Sequence, residues 1–332
     1  MDEAFLQKKL AKCMSEFVTL GETMVLLMAP DQFGRIKSSQ TLQKQIGGAE
    51  SNVAVALSRL GHNAKWISRV GKDPFGQEIL YRLRAEGVNT KDVIVDSEHR
   101  TGLMFKERTI LNEPSVFYYR QNSAASNLKK EDIKEETIRS ARILHITGIT
   151  LALSESCREA VFEAVKFAKK HGVKVSVDPN LRLKLWTIEE ARPVLMELIK
   201  QADYFFPGLE EARLLLNQPD FTTHEIIQHF LEFGIEQVII KLGQGGCVMS
   251  NREKVIHVEG MKVVEVDSVG AGAGFCAGYI SGFLKDLSPL ECAKRANIVG
   301  ALAVTDYSDY GGYPTADELE AIINRTASTI TR

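Results

Sequence analysis

The segment 267–278, DSVGAGAGFCAG, has the residue types of a turn that binds an anion. A β-like run at 263–266 leads into it, and an apolar run of helical character follows. Glycines allow backbone N–H groups to crowd around an anion, and a helix start adds unpaired donors and a positive dipole end. The segment therefore predicts a phosphate-binding turn, with close packing of a helix against a strand as the alternative interpretation.

The same segment fits two other nucleotide-binding motifs poorly or not at all. Residues 272–277 match GxGxxA, but no clear strand ending in an acid follows about 20 residues later, as dinucleotide-binding folds require. A Walker A loop is excluded because Gly-Lys-Ser/Thr is absent. A dinucleotide-dependent oxidoreductase therefore has this one short match as its only support.

A second glycine pair, Gly47-Gly48, precedes a predicted helix that has Glu50 and Asn52 in its first turn. Glycines at such a place permit a ligand to approach the backbone closely. A plain helix start explains the same residues equally well.

The segment 177–182, VDPNLR, places polar side chains directly after a strand of the buried type. Asp178 ends that strand, so Asp178, Asn180 and Arg182 are predicted at the ligand-binding edge of a parallel sheet. The planar fork of Arg182 suits a carboxylate. An ordinary Asp-Pro-Asn turn is the alternative. In a neighbouring strand, period-two geometry puts Tyr118 and Arg120 on one face.

The elements that must position these residues alternate between strands and helices. Apolar, β-rich runs lie at 17–28, 66–70, 143–147, 173–178, 204–206, 238–242 and 261–266. Amphipathic or helix-like stretches lie between them, at 50–60, 155–170, 188–200, 224–233, 274–284 and 289–304. This alternation predicts an α/β fold with a mostly parallel sheet covered by helices on both faces. Such sheets bind ligands beyond the carboxyl ends of their strands.

Two regions interrupt the alternation. Residues 101–108 and 115–121 are predicted as consecutive strands around a turn at 111–114, and 32–45 is a polar segment suited to further short strands. A small antiparallel sheet beside the main domain, acting as a lid, fits this pattern. We therefore predict a tail at 1–14 and one domain at 15–332, with lid segments near 30–46 and 101–121.

Composition restricts the classes of function. The 332 residues include 41 basic and 43 acidic side chains, so no cationic field exists to attract a nucleic acid. The five cysteines form no CxxC pair, which argues against a disulfide framework or a zinc cluster. No signal-peptide pattern begins the sequence, and the uncharged run 269–284 is shorter than the roughly 18 residues of a membrane span. We expect a cytoplasmic protein without membrane or nucleic-acid partners.

Taken together, the segments resemble the ribokinase-like, or PfkB, family of carbohydrate kinases, from about residue 18 to residue 323. The ordered blocks that carry the resemblance are Gly21-Glu22, GGAESN at 47–52 with Leu60-Gly61, VGKD at 70–73, FYYR at 117–120 with SAA at 123–125, DPNLR at 178–182 with Leu185-Trp186, KLG at 241–243, the Gly-Ala-Gly turn at 270–272, and GALA at 300–303 followed by Asp309 and Pro314. The resemblance implies a ribokinase-like fold: a central, mostly parallel sheet with helices on both faces, plus a small β-sheet lid.

The activity implied by the resemblance is transfer of the γ-phosphoryl group of ATP, with Mg²⁺, to a sugar hydroxyl. YYR together with DPNLR favours the ketodeoxygluconate branch, in which the product is the 6-phosphate of 2-keto-3-deoxygluconate. Two arginines suit the carboxylate of that sugar acid. The family also implies a homo-oligomer, because lids in it often pair edge to edge.

Site residues follow from the resemblance position by position. The backbone of Ala271 and Gly272 is implied to bind the transferring phosphoryl group next to Gly270. ATP is implied to contact Gly243, Gly246 and Asn297, and Glu211 to support the Mg²⁺–water network. Sugar-side positions are Gly48, Tyr118, Arg120, Arg182 and Asp309. A monovalent cation such as K⁺ is implied at Asp267 and Val269.

Ala273 departs from the family pattern. The family's turn is GAGD, and its Asp accepts the proton from the sugar hydroxyl, whereas alanine cannot accept a proton. A positioned base contributes about 10²–10⁴-fold to the rate, so catalysis is expected to be impaired. Gly208 is a second, smaller departure, since many members have Asn there. A non-catalytic sugar or nucleotide sensor of the same fold is therefore the alternative function.

Overall fold

The computed structural model describes residues 16–30, 35–107, 115–250 and 254–330, with side chains to residue 325. Its strands are β1 Phe17–Leu20, β2 Met24–Met28, β3 Gln43–Gly47, β4 Ala64–Gly71, β5 Val93–Asp96, β6 Leu103–Glu107, β7 Ser115–Tyr119, β8 Ile143–Thr147, β9 Lys174–Asp178, β10 Tyr204–Phe205, β11 Gln237–Lys241, β12 Cys247–Ser250 and β13 Val255–Val258. Its α-helices are α1 Ala49–Arg59, α2 Pro74–Ala85, α3 Glu135–Arg139, α4 Gly148–Leu153, α5 Glu155–Lys170, α6 Ile188–Ile199, α7 Leu209–Leu216, α8 Thr223–Leu231, α9 Ala271–Leu284, α10 Pro289–Ala303 and α11 Ala316–Ile330.

The large sheet has nine strands in the order β13-β12-β11-β10-β9-β8-β1-β4-β5. Its pairs are parallel except at the β11–β12–β13 edge, where they are antiparallel. From β1 the chain first builds one side through β4 and β5, and then the other side from β8 onward. The chain thus continues from β1 toward one side of the sheet and from β8 toward the other. The carboxyl ends of these two neighbouring strands therefore form a topological switch point, where open α/β sheets bind ligands.

Apolar side chains fill both faces of this sheet, as its continuous hydrophobic strands predict. One buried cluster includes Trp66, Phe206 and Tyr279, and packs beneath α1, α9 and α10. The other includes Phe205, Val165 and Phe230, and packs beneath α5, α6 and α8. The predicted α/β architecture with a mostly parallel sheet is confirmed, and both faces of the sheet are covered.

The small sheet has the strand order β3-β2-β6-β7. The β2–β3 and β6–β7 pairs are antiparallel as expected, but β2 and β6 are parallel, so the sheet is mixed. The predicted turn at 111–114, residue 108 of the predicted strand at 101–108, residues 32–34 of the predicted 32–45 segment, and the predicted tail at 1–14 lie outside the described residues.

Two sequence-based assignments of strands were wrong. The run 17–28 is not one strand: β1 lies in the large sheet and β2 in the small one, with Gly21, Glu22 and Thr23 turning the chain between them. Hydrophobicity alone did not show this break because both strands are buried. The run 261–266 forms no strand, and its apolar residues include Val264, which is 83% exposed.

The apolar helix α9 lies in the core of the domain. Its glycines at four-residue spacing face α10, where Gly278 lies against Ala296 and Gly282 against Cys292. This spacing therefore serves helix–helix packing. Among the described residues, none of the helices is both long and apolar enough to span a lipid bilayer.

Candidate active site

A cavity of about 710 Å³ lies between the carboxyl edge of the large sheet and the small sheet. Most of the residues singled out from the sequence line it: Gly48, Tyr118, Arg120, Arg182, Glu211, Val269, Gly270, Gly272, Ala273 and Asp309. They come from segments spread over more than 250 positions of the chain. The predicted anion-binding turn and both predicted arginines therefore share one cavity.

One wall of the cavity, which we call the helix side, is the segment 268–273 at the start of α9. Gly270 is the residue before the helix and has a φ of 89°, a conformation that favours glycine. No side chain caps this helix start. Because the first N–H groups of a helix have no partner within it, the amides of Gly272 and Ala273 are available to an anion, whereas that of Ala271 makes a long hydrogen bond, 3.4 Å, to the carbonyl of Ser268.

Lys241 and Asp178 lie next to the helix side. Lys241 Nζ is 2.8 Å from Asp178 Oδ1, and the two residues end β11 and β9, the strands on either side of β10. Lys241 Nζ is also 3.7 Å from where a Cβ on Gly272 would stand. Burial lowers the pKa of Lys241, but the negative charges around it, that of Asp178 above all, and its hydrogen bond to Asp178 together outweigh burial, so this pKa lies above its usual value. The pair thus places a permanent positive charge beside the turn.

Ala273 lies in the first turn of α9 and is buried against the cavity. The carboxylates that line the cavity are engaged elsewhere: Glu22 by Arg120, Asp178 by Lys241, Glu211 by backbone amides, and Asp309 next to Lys106. The helix side therefore presents backbone and small side chains to the cavity.

The opposite wall, which we call the lid side, consists of Glu22, Lys106, Tyr118, Arg120 and Asp309. Arg120 Nε and Nη2 each lie 2.6 Å from Glu22 Oε2, and Ser123 donates to the same carboxylate. The guanidinium also lies over the ring of Tyr118, 5.5 Å from its centre. Arg120, which lines the cavity, is thus positioned by Glu22 and by the ring of Tyr118.

Arg182 differs from Arg120. It lies on the loop after β9, lines the cavity and is exposed. Its guanidinium makes no ion pair within the part of the chain that the structure describes. An unpaired guanidinium at the rim remains available to a carboxylate ligand.

Asp309 reaches the lid side because Gly47 leaves room for it. A Cβ on Gly47 would stand 2.1 Å from Asp309 Oδ2, so a side chain there would displace the carboxylate. Asp309 Oδ1 is buried without a hydrogen-bond partner and lies 3.9 Å from Lys106 Nζ. Burial raises the pKa of Asp309 above its usual value, Lys106 lowers it, and the charge of Asp267 adds to the rise.

Glu211 lines the cavity from the first turn of α7. Its two carboxylate oxygens accept hydrogen bonds from the amides of Leu181 and Gly208, each at 2.7 Å. Each oxygen keeps a second lone pair that can accept from a metal-bound water. Mg²⁺ in such sites keeps several waters and takes its other ligands from phosphates, so Glu211 fits a water-mediated magnesium site.

Five predicted site residues do not line this cavity: Gly243, Gly246, Asn297, Ala271 and Asp267. The first three lie together beyond Lys241, where Gly246 packs against 258–260 and the Asn297 amide donates to the carbonyls of Val258 and Glu259. Ala271 is the first residue of α9. Asp267 is buried beneath the turn and paired with Lys106.

Three further residues were missed as site residues by the sequence analysis. Lys241 was noted only as part of a motif. Lys106 shares the inward face of β6 with Met104, a placement that period two could have shown. Arg59 donates to the carbonyls of Tyr310 and Tyr313 and so fixes the loop that carries Asp309. No local pattern signals that long-range contact.

Comparison with known proteins shows which family this sequence matches. Residues 14–316 match the model of the pfkB family carbohydrate kinases. A 2-dehydro-3-deoxygluconokinase of Bacillus subtilis (strain 168) is 38% identical over 311 residues, which cover 92% of this chain and 95% of that protein.

Solved structures agree in fold. A 2-dehydro-3-deoxygluconokinase from Thermotoga maritima superposes with a TM-score of 0.86 at 27% identity, covering 93% of this chain and 99% of that one. An E. coli protein described as a ribokinase II, in complex with ATP and Mg²⁺, superposes with a TM-score of 0.87 at 30% identity, covering 94% and 100%.

Proposed function

The chain belongs to the pfkB family of carbohydrate kinases, and we propose that its substrate is a sugar acid, 2-keto-3-deoxygluconate, phosphorylated on the 6-hydroxyl. One observation carries this proposal: a single cavity joins an uncapped helix start to two guanidinium groups. A helix start suits a transferring phosphoryl group. Guanidinium groups suit a carboxylate, which ribose and fructose lack.

In this proposal the carboxylate of the sugar acid binds Arg182 and the free N–H groups of Arg120. Tyr118, Gly48 and Asp309 line the same side and contact the sugar hydroxyls. Glu22 acts through Arg120, because it fixes the plane of the guanidinium before the substrate arrives. Preorganisation of this kind lowers the entropic cost of binding.

ATP and Mg²⁺, when bound, supply the phosphoryl group and neutralise part of its charge. The amides of Ala271 and Gly272 then stabilise charge on the transferring group, and Lys241 adds a cation beside them. Glu211 holds metal-bound waters. Gly243, Gly246 and Asn297 support the nucleoside end of ATP, where Asn297 acts by fixing the backbone at 258–259.

We propose further that Ala273 impairs this catalysis. The family's base stands at this position, and an alanine cannot take the proton of the sugar hydroxyl. The transition state of phosphoryl transfer is loose, so little deprotonation is needed early and slow turnover persists. Binding of sugar and nucleotide does not depend on this side chain and is expected to remain.

A kinase assay across several sugars tests the proposed substrate. The chain and its Ala273→Asp variant are compared with 2-keto-3-deoxygluconate, gluconate and fructose under saturating ATP and Mg²⁺. We expect kcat/KM for 2-keto-3-deoxygluconate to exceed that for fructose by about tenfold or more, since charge-assisted hydrogen bonds contribute about 1.5–3 kcal/mol. Equal or better use of fructose would contradict a sugar-acid site.

A non-catalytic sensor of the same fold is the second candidate, and Ala273 is the observation that favours it. Calorimetry separates the two functions. Sugar acid and ATP binding without turnover, even after Ala273→Asp, indicates a sensor; binding of neither ligand excludes it.

We also infer that the protein is a homo-oligomer that buries the outer face of its lid. Phe117 and Tyr119 on β7 are 50% and 67% exposed, and Phe105 packs edge-on against Tyr119. Exposed aromatic groups of this kind are typical of protein interfaces. Light scattering after size exclusion tests this, and a Phe117→Ser/Tyr119→Ser variant should shift the mass to a monomer.

A further inference from the structure

Lys106 connects the lid to the turn at α9 through a buried ion pair. Its Nζ lies 2.6 Å from Asp267 Oδ2, and the two side chains are only 2% and 1% exposed. Asp309 Oδ1 lies 3.9 Å from the same ammonium. The ammonium thus stands between two carboxylates, each on a different loop of the main domain.

The strand register directs Lys106 to this place. On β6 it pairs with Met28 of β2 and Val116 of β7, so it lies in the middle of the small sheet. Met104, two residues earlier, lines the same cavity. Lys106 on the inward face of β6 therefore places its ammonium next to Asp267, beneath the turn that precedes α9.

Asp267 is the carboxylate at which the family resemblance implies a monovalent cation. Here one of its oxygens contacts the Lys106 ammonium, and the other accepts from the amide of Val269 at 3.1 Å. Ammonium and potassium ions are similar in radius and both bind carboxylates. A K⁺ about 4 Å from the ammonium would be weakened about a thousandfold by repulsion at the effective dielectric of a protein site.

We propose that the Lys106 ammonium is the resident cation of Asp267 and takes the place of a free monovalent ion. The lid then carries the positive charge that neutralises the carboxylate beneath the turn. The positive charge is covalently attached, so the fold of this chain does not depend on K⁺. This inference concerns the cation alone and holds whichever sugar is the substrate.

Thermal unfolding in different salts tests the proposal. The wild-type chain should have the same midpoint in KCl, NaCl and choline chloride at equal ionic strength. In Lys106→Met, Asp267 loses the ammonium, and the midpoint should rise with K⁺ concentration but not with choline, because an ion that binds only the folded state stabilises it. Lys106→Arg, which keeps the charge, is the matched control and should behave like the wild type.

A direct measurement of ion binding to the wild-type chain tests the proposal even if Lys106→Met fails to fold. Rubidium, which substitutes for K⁺, should show no saturable binding in equilibrium dialysis. Stoichiometric rubidium binding, or a midpoint that rises selectively in KCl, would overturn the proposal. If the K⁺-dependent rise of the midpoint is lost in Lys106→Met/Asp267→Asn, the ion that binds Lys106→Met lies at Asp267, as proposed. If the rise is unchanged in the double variant, the proposal is overturned.

Discussion

The lid side and the helix side of the cavity are built on different principles. The lid side consists of buried charged groups that hold one another, Glu22 with Arg120 and Lys106 with Asp267 and Asp309. The helix side consists of a glycine turn and the first turn of α9, with no side-chain cap. Charged side chains form the first wall, and backbone amides form the second.

Because of this difference, we expect substitutions on the two sides of the cavity to have different effects on the stability of the fold and on the reaction rate. A buried ion pair is costly to break, because the remaining partner loses its compensation. Ala273 is buried, but it borders the cavity and makes no polar contact, so a larger side chain can extend into the cavity and its replacement strands no charge. Substitutions on the lid side should therefore affect folding and binding together, whereas substitutions on the helix side should affect the rate alone.

The largest expected effect is on the helix side. Ala273→Asp should raise kcat with a sugar acid by about 10²–10⁴-fold, the usual contribution of a positioned base. The thermal midpoint should hardly change, since an acid suits the first turn of a helix. Steady-state kinetics and thermal unfolding measure the two quantities. Ala273→Asn is the control of matched size, and an equal gain from it would show that proton transfer is not the cause.

On the lid side, Arg120→Met should destabilise the fold by about 3–5 kcal/mol, because it leaves the Glu22 carboxylate buried and unpaired. Urea unfolding measures this loss. The double variant Glu22→Gln/Arg120→Met should recover much of it, since no charge is then stranded. If Arg120→Met were as stable as the wild type, the proposed difference between the lid side and the helix side would be contradicted.

Arg182 sharpens the comparison because it is an exposed arginine on the same cavity. Arg182→Met should leave stability within about 0.5 kcal/mol, as surface substitutions usually do. The Kd of a sugar acid should rise about tenfold, the equivalent of about 1.4 kcal/mol, and that of a neutral sugar should stay the same. Calorimetry with both ligands tests this, and equal losses would argue against a carboxylate contact.

The smallest effect concerns Asp309 and pH. Its raised pKa means that the folded protein holds the proton more tightly than the unfolded chain does. This carboxyl therefore favours folding below the unfolded pKa, about 4, and the advantage is lost as pH rises through the folded pKa. Asp309→Asn should gain stability relative to the wild type as pH increases, in urea unfolding at several pH values. A constant difference would contradict the raised pKa.

Much of the fold was predictable from local pattern. The helix at 155–170 was predicted with its exact bounds, because a serine cap and a clear apolar face mark it. The break between β1 and β2 was not, since both strands are apolar and only their pairing with different sheets separates them. The strand expected at 261–266 does not form: Val264 is 83% exposed, and the amide of Val266 donates to the carbonyl of Val304 and not to a strand.

The candidate site shows the same division. Gly270 and Arg182 were recognisable from local sequence, a glycine-rich turn and a polar segment after a strand, whereas Arg120 and Asp309 were assigned mainly through the family resemblance. Lys106, Lys241 and Arg59 were not recognised as site residues, because their partners lie 161, 63 and 251 positions away along the chain. Period two could have shown that Lys106 faces inward, but sequence separation of this size leaves no local signal of which residues are its partners.

The order of residues by itself determined the family, the alternation of strands and helices, and the absence of an acid at Ala273, because each is a property of residue type or spacing. Only the tertiary structure decided which charges face one another, and hence that Asp267 is paired with an ammonium from the lid. Ion pairing depends on distances of a few ångströms between distant segments, and packing alone sets those distances.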